Sequence, residues 1–380
     1  MDANELLKER TELYANVLQF KKNKRVPIHA NFWTWKTLDA GYKLSEALYD
    51  VKILAKINEE FNERYQFDSY SDLGTRNPLA TQDALGGGYH KIDQSDEALL
   101  VDDHHLLERD EYKDLAKNPM GVYWTKAFKR YCRPGITVGE IKNALKVNDE
   151  FSKFGASTTD ICLNKWGAMK ASKYFFSVPF ETLFNALRGM KEVSLDIRKC
   201  KQEMKEAMDV LFAMSTKPFL EQAAKDDDLK GCACSVNIGF LAQSVLSVDQ
   251  FAELYWPYVK QILDVLIAHN RALYIFGESH MLRFAEFFQD IPKGHILYHL
   301  EQDDIFEVRK RLPNMALAGG MPTELLGRGT KQECVDYAKK LIDTLGDGFV
   351  FSQNKMISFR KDATRENVLA VNEFVRNYQY

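Results

Sequence analysis

Short apolar runs that each stop at a polar or glycine-rich cluster recur in the second half of the chain. Four lie close together: Ala272-Leu-Tyr-Ile-Phe276, His295-Ile-Leu-Tyr298, Met315-Ala-Leu-Ala318 and Gly348-Phe-Val-Phe351. Strands of a parallel sheet are buried on both faces and therefore read as continuous apolar runs. Capping-box spacings at Ser247-Val-Asp-Gln250 and Thr330-Lys-Gln-Glu333 predict helix starts among these runs. The alternation predicts an α/β fold, a (β/α)8 TIM barrel.

The earlier part of the chain shows a weaker form of the same alternation. Residues 1 to 24 keep apolar positions on a helical period and predict an N-terminal helical extension. Residues 26 to 33 are predicted to form the first barrel strand, because Pro27 is tolerated at the start of a strand. Residues 67 to 72 repeat the change from apolar to polar, and residues 231 to 238 read as a later strand. Further helices are expected as insertions between strands.

Polar residues at the strand ends are candidates for the functional site, since barrel enzymes place their chemistry where the strands end. The later runs offer Glu278, His280, Glu301, Gly319-Gly320 and Gln353. We predict substrate contacts from a set of polar and aromatic residues at or near such ends: His29, Asn31, Trp33, Asp68, Tyr70, Asp72, Tyr89, Asn237 and Gln353.

Several of these residues have a structural interpretation as well. Glu301 stands where a cap for the next helix would fall. His29 lies in an apolar strand, which is typical of a hydrogen-bonded core histidine. Asn237 follows the Cys232-Ala-Cys234 strand and could orient a substrate or satisfy backbone groups. The Cys-x-Cys pair itself fits two small buried residues better than a soft-metal site.

Composition and charge exclude several classes of function. The 380 residues fit one decorated barrel domain, 1–380. The 51 basic and 54 acidic residues give a net charge of −3, and no basic stripe indicates nucleic acid. No apolar run is long enough to span a membrane. The first residues lack a secretory signal, and six scattered cysteines suit a reducing compartment, so we expect a cytoplasmic protein.

Longer segments of the second half resemble the uroporphyrinogen decarboxylase superfamily. The likeness covers most of residues 230 to 380 and is carried by four segments: 246–257, 282–294, 320–330 and Arg365-Glu-Asn367. It extends more loosely to Lys24-Arg-Val-Pro27 and Asp110-Glu-Tyr112. The resemblance implies a (β/α)8 barrel with one of two chemistries, porphyrinogen decarboxylation or methyl transfer to or from a corrinoid protein.

Two branches of the superfamily fit poorly. The decarboxylases carry an arginine-rich motif near the first strand, where this chain has His29-Ala-Asn-Phe-Trp-Thr-Trp35. Aromatic residues in place of cations argue against a polyanionic tetrapyrrole. The thiol-activating methyltransferases hold zinc with a His-x-Cys pair and a late Cys, where this chain has Tyr274-Ile-Phe276 and Ser352-Gln353. A zinc-bound thiolate nucleophile is therefore not expected.

The closest likeness is to the substrate-demethylating methyltransferases of anaerobic O-demethylase systems. It implies that a small methylated substrate, a methoxylated aromatic compound for instance, passes its methyl group to the cob(I)alamin of a separate corrinoid protein. Glu278, Glu301 and His280 are then the predicted catalytic residues. Glu278, His280, Glu286 and Glu301 are also the candidate ligands of a zinc ion. The apolar cavity is expected to be lined by Trp33, Trp35, Tyr70 and Tyr89. By analogy, a homodimer is expected.

Two other functions stay open at this point. A decarboxylase of a small non-porphyrin acid needs a cationic clamp for the carboxylate, for which Arg76, Arg130 and Arg188 are the obvious residues. A non-catalytic barrel that binds a ligand or a corrinoid protein is favoured if the missing metal ligands mean lost chemistry.

Overall fold

The computed structural model describes residues 2–71, 79–88, 90–103, 105–229 and 231–380. Two of the predicted substrate-binding residues, Asp72 and Tyr89, lie outside the described residues. So does Arg76, one of the three arginines proposed for a carboxylate clamp.

The described residues contain eight barrel strands and one separate hairpin. In chain order the ten strands are β1 His29–Ala30, β2 Ser69–Tyr70, β3 His90–Ile92, β4 Leu99–Val101, β5 Met169–Phe175, β6 Cys232–Phe240, β7 Leu273–Gly277, β8 Ile296–Leu300, β9 Ala316–Met321 and β10 Phe349–Gln353. The sheet order is β1-β2-β5-β6-β7-β8-β9-β10, and β3 pairs only with β4.

All neighbouring barrel strands run parallel, and the sheet closes on itself. Parallel bridges join Ile28 to Phe351 and Phe32 to Ile357. The Phe351 N–H also donates a hydrogen bond to the Pro27 carbonyl at 2.9 Å. The predicted (β/α)8 barrel is therefore confirmed. We call the end at which the strands start the barrel floor and the end at which they finish the barrel mouth.

Helices surround the sheet on the outside. In chain order the α-helices are α1 Ala3–Leu18, α2 Trp35–Asp39, α3 Leu44–Ala47, α4 Val51–Tyr65, α5 Leu79–Leu85, α6 Tyr112–Lys117, α7 Pro119–Val122, α8 Phe128–Tyr131, α9 Val138–Trp166, α10 Pro179–Thr182, α11 Met190–Lys199, α12 Lys201–Ser215, α13 Lys217–Lys225, α14 Val248–Leu254, α15 Trp256–Ala268, α16 Ile305–Arg311, α17 Thr323–Arg328, α18 Lys331–Leu345 and α19 Arg365–Asn377. Shorter 3₁₀ segments cover Arg109–Glu111, Ala242–Val245 and Leu282–Phe288, and π-helical turns cover Tyr123–Ala127 and Leu183–Leu187. Within the described ranges, no helix combines the length and the apolar character needed to cross a membrane.

The strands predicted from apolar runs in the second half of the chain are confirmed as β6 to β10. Both predicted capping boxes are present, at Ser247 before α14 and at Thr330 before α18. β5 and the hairpin β3–β4 were not predicted. β5 reads Met169-Lys-Ala-Ser-Lys-Tyr-Phe175, and its two lysines interrupt the apolar pattern that marks a buried strand.

Helix α1 closes the barrel floor. Its side chains Leu7, Tyr14 and Val17 form one buried cluster with residues near the starts of six strands: Met169, Cys234, Ala272, Leu297, Ala316 and Val350. The predicted N-terminal extension is therefore helical as expected, and it fills the end of the barrel. Burial of apolar surface on this scale makes α1 part of the core.

Candidate active site

The two strand-end glutamates lie side by side at the barrel mouth. β7 and β8 pair with Gly277 opposite Leu300, so Glu278 and Glu301 follow at the same height. The Glu301 N–H donates to the Gly277 carbonyl at 3.1 Å, and the Glu301 carboxylate accepts from the Ser279 N–H at 3.3 Å. Ser279 adopts a φ of +89°, a strained conformation of the kind that accumulates at functional sites.

The electrostatics of Glu301 favour its protonated form. Burial raises the pKa of Glu301, and the neighbouring negative charge of Glu278 raises it further. Glu301 is half-buried, so water reaches it only partly. The carboxyl group is therefore suited to hold a proton and to donate it within the mouth.

A third carboxyl group, Glu181 of α10, belongs to the same group of charges. Burial raises the pKa of Glu181 to about 7, and the charge of Glu278 contributes to the increase. Its Oε1 accepts hydrogen bonds from the N–H groups of Leu241 and Ala242 at 2.9 and 2.8 Å and from the Tyr255 hydroxyl at 2.7 Å. Glu181 thus holds the turn that follows β6 and places a carboxyl group beside Glu278.

Sequence reasoning missed Glu181. The available signal was a carboxylate directly after the apolar segment Val178-Pro-Phe180. Acidic side chains are almost never fully buried unless paired, so a glutamate in an apolar helix start indicates a special environment.

Glu301 does not cap the next helix. The N-cap of α16 is Asp304, whose carboxylate accepts from the N–H groups of Phe306 and Glu307 at 2.8 and 3.2 Å. The capping interpretation of Glu301 is therefore wrong, because the cap position falls three residues later. The carboxyl group of Glu301 instead accepts from the Ser279 N–H at the mouth.

His280 and Glu286 lie apart from the glutamate pair. The His280 ring is exposed, and its Nδ1 contacts the Asp303 carboxylate at 3.1 Å. Asp303 also accepts from the Met281 N–H at 2.6 Å, which fixes the start of the following 3₁₀ segment. Glu286 is exposed on that segment. Within the described residues, no group of three or more His, Cys, Asp or Glu side chains is placed to hold a metal ion.

Directly after the first strand, the chain carries a buried amide that has no partner among the described residues. Neither the Oδ1 nor the Nδ2 of Asn31 has a hydrogen-bond partner within the described residues, although the side chain is fully buried. On the adjacent strand β10, the Ser352 hydroxyl is also buried and also has no hydrogen-bond partner among the described residues. Buried polar atoms of this kind normally pair with a ligand or with water. Trp33 is half-buried. Its indole ring and the His90 ring meet edge to face, with 6.0 Å between the ring centroids.

Gln353 links the first and last strands. Its Oε1 accepts from the Asn31 N–H at 2.9 Å, so the side chain takes the place of a missing ladder hydrogen bond. Its carbonyl accepts from the Nε2 of His299 at 2.9 Å. Gln353 is buried and holds the barrel closed beside Asn31.

A chain of hydrogen bonds crosses the barrel interior below the mouth. The Nδ1 of His29 contacts the Ser69 hydroxyl at 2.6 Å, and its Nε2 contacts the Ser71 hydroxyl at 2.7 Å. Ser69 continues to Tyr14 of α1, and Ser71 continues to Tyr274. His29 therefore has the role of a hydrogen-bonded core residue, the structural interpretation of its sequence pattern.

The other end of this chain fixes the protonation of His299. Burial lowers the pKa of His299 to about 4, and burial also lowers the pKa of His29. Because the Gln353 carbonyl can only accept, the Nε2 of neutral His299 carries the proton. Its Nδ1 then accepts from the Tyr274 hydroxyl at 2.7 Å. Each ring and hydroxyl in this series of hydrogen bonds has a defined partner.

The upper part of β6 borders open space. The Asn237 amide donates to the Ser172 hydroxyl at 2.7 Å, and the residue is half-buried. Two positions later, a Cβ added to Gly239 would meet no atom within 4 Å. Gly239 pairs with Phe276 of β7 just below Glu278. This part of the mouth therefore has room for a substrate.

Asp68 and Tyr70 lie elsewhere than the sequence predicted. Asp68 precedes β2, at the floor, where its carboxylate pairs with Arg10 at 2.8 Å and Arg25 at 2.7 Å. The change from apolar to polar at this point marks the start of a two-residue strand and not its end. Tyr70 and Trp35 are buried in the layer between the sheet and the outer helices. Neither aromatic ring lines the mouth.

The Cys-x-Cys pair lies at the floor end of β6. Burial raises the pKa of the Cys234 thiol well above its usual range, and burial also raises the pKa of the Cys232 thiol. Cys234 packs in the cluster beneath α1. A buried Cys234 and a half-buried Cys232, both with raised pKa values, agree with the interpretation of the pair as small apolar residues.

Comparisons with known proteins agree with this architecture. Residues 173–378, just over half of the chain, match the family described as uroporphyrinogen decarboxylase (URO-D). The chain therefore belongs to the uroporphyrinogen decarboxylase family. A search of curated proteins found no significant match.

A solved structure shares the fold over nearly the whole length. It is a methyltransferase from Methanosarcina mazei with a TM-score of 0.61, and the match covers 97% of this chain and 98% of that chain. The sequences are 12% identical, so the likeness is one of fold.

Proposed function

We propose that this chain is a methyltransferase that demethylates a small methylated substrate and passes the methyl group to the cob(I)alamin of a separate corrinoid protein. A methoxylated aromatic compound is the proposed donor. The observation that carries the proposal is the pair Glu278 and Glu301 at adjacent strand ends, with the pKa of Glu301 raised by burial and by its neighbour. Family membership and the fold shared with a methyltransferase support it.

Cleavage of a methyl ether needs help at the oxygen. The bond between the methyl carbon and oxygen breaks with its electron pair left on oxygen, and an alkoxide or phenoxide is a poor leaving group until it is protonated. Glu301 is the proposed donor of that proton. Burial and the charge of Glu278 both raise the pKa of Glu301, which favours the protonated form that the step requires.

The corrinoid is carried by the partner, and when bound it supplies the electron pair that forms the new bond to the methyl carbon. The residues near the mouth fit an uncharged substrate below such a partner. Asn31 offers a substrate oxygen an amide that has no partner among the described residues, and Gly239 leaves space beside Phe276. Positioning in such a cavity is itself a large part of catalysis.

The described residues do not fit a zinc ion. Glu278 and Glu301 are adjacent, whereas His280 pairs with Asp303 at the rim and Glu286 faces solvent. The Oε1 of Glu181 is held by Leu241, Ala242 and Tyr255, and within the described ranges no three such side chains are placed to hold a metal ion. The proposed proton transfer therefore uses carboxyl groups alone.

The decarboxylase alternative receives no support from the two described arginines of the suggested clamp. Arg130 pairs with Glu111 at 2.6 Å, and Arg188 pairs with Asp196 at 2.6 Å. Arginines held by carboxylates are poorly placed to bind the carboxylate of a substrate. Arg76 lies outside the described residues.

The substitution Glu301→Gln tests the proposal. It keeps the shape of the side chain and removes the proton donor, so we expect methyl transfer to fall by about 10²- to 10⁴-fold. The measurement follows the absorbance of free cob(I)alamin during incubation with a panel of methoxyarenes. Asp304→Asn is the matched control, because it changes the neighbouring helix cap and should leave the transfer rate nearly unchanged.

Three outcomes count against the proposal. Unchanged transfer by Glu301→Gln removes Glu301 as the acid. Release of CO₂ from a small acid by the wild-type protein supports a decarboxylase. Tight binding of a corrinoid protein without any turnover supports a non-catalytic barrel.

A further inference from the structure

A second cavity lies outside the barrel, beside the end of β5. It has a volume of about 480 Å³ and is bordered by α6, α7, the two π-helical turns and the last residues of α12. Its floor consists of buried apolar side chains, among them Leu107, Leu115, Val122 and Ala127. The volume falls within the range of sites for small molecules.

The rim of this cavity is apolar and exposed. Phe175 is 67% exposed, Met120 49%, Tyr123 47% and Met214 38%. Clustered exposed side chains of this size are costly in water and usually mark a binding site. Two of the four are methionines, whose flexible side chains adapt to ligands of different shape.

Both π-helical turns of the described chain border this cavity. The turn Tyr123–Ala127 contributes its first and last residues to the lining, and the turn Leu183–Leu187 contributes Ala186 and Leu187. A π-helical turn is a rare insertion in an α-helix and frequently occurs at a functional site. Two such turns that face one cavity form a second observation, independent of the exposed rim.

Three hydroxyl groups of the lining already have hydrogen-bond partners within the protein. The Thr182 hydroxyl donates to the Ser177 hydroxyl at 3.0 Å, and the Ser215 hydroxyl donates to the Leu211 carbonyl at 2.8 Å. The Thr216 hydroxyl donates to the Ser177 carbonyl at 3.4 Å. No charged side chain is among the described residues that line the cavity. An ion would therefore lose its hydration without compensation.

We propose that this cavity binds an uncharged, largely apolar small molecule, such as an aromatic compound or an acyl chain. The site is separate from the glutamate pair and does not depend on the proposed methyl transfer. A recessed floor below an exposed rim fits a small ligand that enters it. A protein partner would instead need about 800 Å² of surface on each side.

The neutral fluorescent probe N-phenyl-1-naphthylamine tests the proposal. We expect saturable binding with one probe per chain. Ala186→Phe places a ring in the cavity and should weaken binding about tenfold or more, equivalent to about 1.4 kcal/mol. Ala213→Phe adds the same ring at an exposed position of α12 outside the lining and should bind the probe like the wild type.

A second pair of variants keeps the test decisive. Phe175→Ala removes an exposed rim residue, is expected to fold normally, and should also weaken binding. Gly239→Leu fills space in the barrel mouth and should leave probe binding unchanged. Loss of binding in Gly239→Leu alone, or no saturable binding in the wild type, overturns the proposal. So does a dimer in light scattering that Ala186→Phe dissociates, because a second copy would then cover the cavity.

Discussion

The two ends of the barrel use buried carboxyl groups in opposite ways. At the floor, the Asp68 carboxylate accepts from Arg10, Arg25 and the Ile28 N–H. Burial alone would raise the pKa of Asp68, but these partners, Arg25 first, lower it to about 2. At the mouth, Glu181 and Glu301 have raised pKa values because burial is reinforced by the charge of Glu278.

The difference shows how surroundings assign roles to one chemical group. A carboxylate saturated by two guanidinium groups stays ionised and fastens α1 to the barrel. Carboxyl groups that share a partly buried site have raised pKa values, which favour their protonated form and suit them to proton transfer. In a barrel enzyme, polar clusters at the floor accordingly serve stability, and those at the mouth serve chemistry.

The largest expected effect on stability comes from Asp68→Asn. It removes the charge that compensates Arg10 and Arg25, and breaking a buried pair in this way costs about 3–5 kcal/mol. Urea unfolding measures the loss. The control is Asp264→Asn, which removes an exposed pair with Lys260 and should cost at most about 1 kcal/mol. Equal effects of the two substitutions would contradict the role assigned to the floor.

At the mouth, Glu181→Gln should change how stability depends on pH. The pKa of Glu181 in the folded protein is about 7, above its ordinary value of 4.5, so the unfolded chain loses this proton first as the pH rises. The free energy of unfolding therefore decreases between pH 4.5 and 7, by an amount on the order of 3 kcal/mol from this group. Glutamine should remove that decrease because it has no titratable proton. Its Oε1 can still accept the hydrogen bonds from Leu241, Ala242 and Tyr255.

Urea unfolding at pH 5 and at pH 8 measures this effect. Glu181→Gln should resemble the wild type at pH 5 and exceed its stability at pH 8. Glu286→Gln, at an exposed position, should keep the wild-type slope. If the stability of Glu181→Gln falls between pH 5 and pH 8 as much as that of the wild type, the Glu181 carboxyl group is ionised in the folded wild-type protein, as Asp68 is.

The smallest effect is expected midway between the two ends, for Tyr274→Phe. The Tyr274 hydroxyl donates to the Nδ1 of His299, so its loss leaves a buried acceptor unpaired at a cost of about 1–2 kcal/mol. Tyr49→Phe removes a hydroxyl bound to Asp83 at the surface and should have little effect on unfolding. Equal free energies of unfolding for the two variants would show that the hydrogen bonds inside the barrel contribute no net stabilisation.

Strands β7 to β10 could be predicted because each of them begins with an uninterrupted apolar run. The positions of Glu278 and Glu301 followed from those strand ends. Asp68 was misplaced for the reason that β2 has only two residues, Ser69–Tyr70, and one change in polarity does not distinguish the start of a strand from its end. The start and the end of so short a strand can be told apart only from the strands that pair with it.

Other features depend on contacts that a linear pattern does not contain. Glu181 becomes part of the site only because β6 turns back onto α10 after Phe240. Asp304 and Glu301 are both acidic residues before α16, and only the backbone geometry identifies Asp304 as the cap. The position of Asn31, whose side-chain amide has no partner in the described part of the chain, likewise depends on the closure of the barrel by Gln353.

The position of α1 at the floor has a consequence for synthesis on the ribosome. Its apolar side chains, such as Leu7 and Tyr14, emerge early, yet the cluster they complete includes Val350 of the last strand. During translation this face therefore waits for almost the entire barrel, with contacts of very long sequence separation that slow folding. Until then, the apolar face of α1 is exposed to water, and chaperones can bind such a surface.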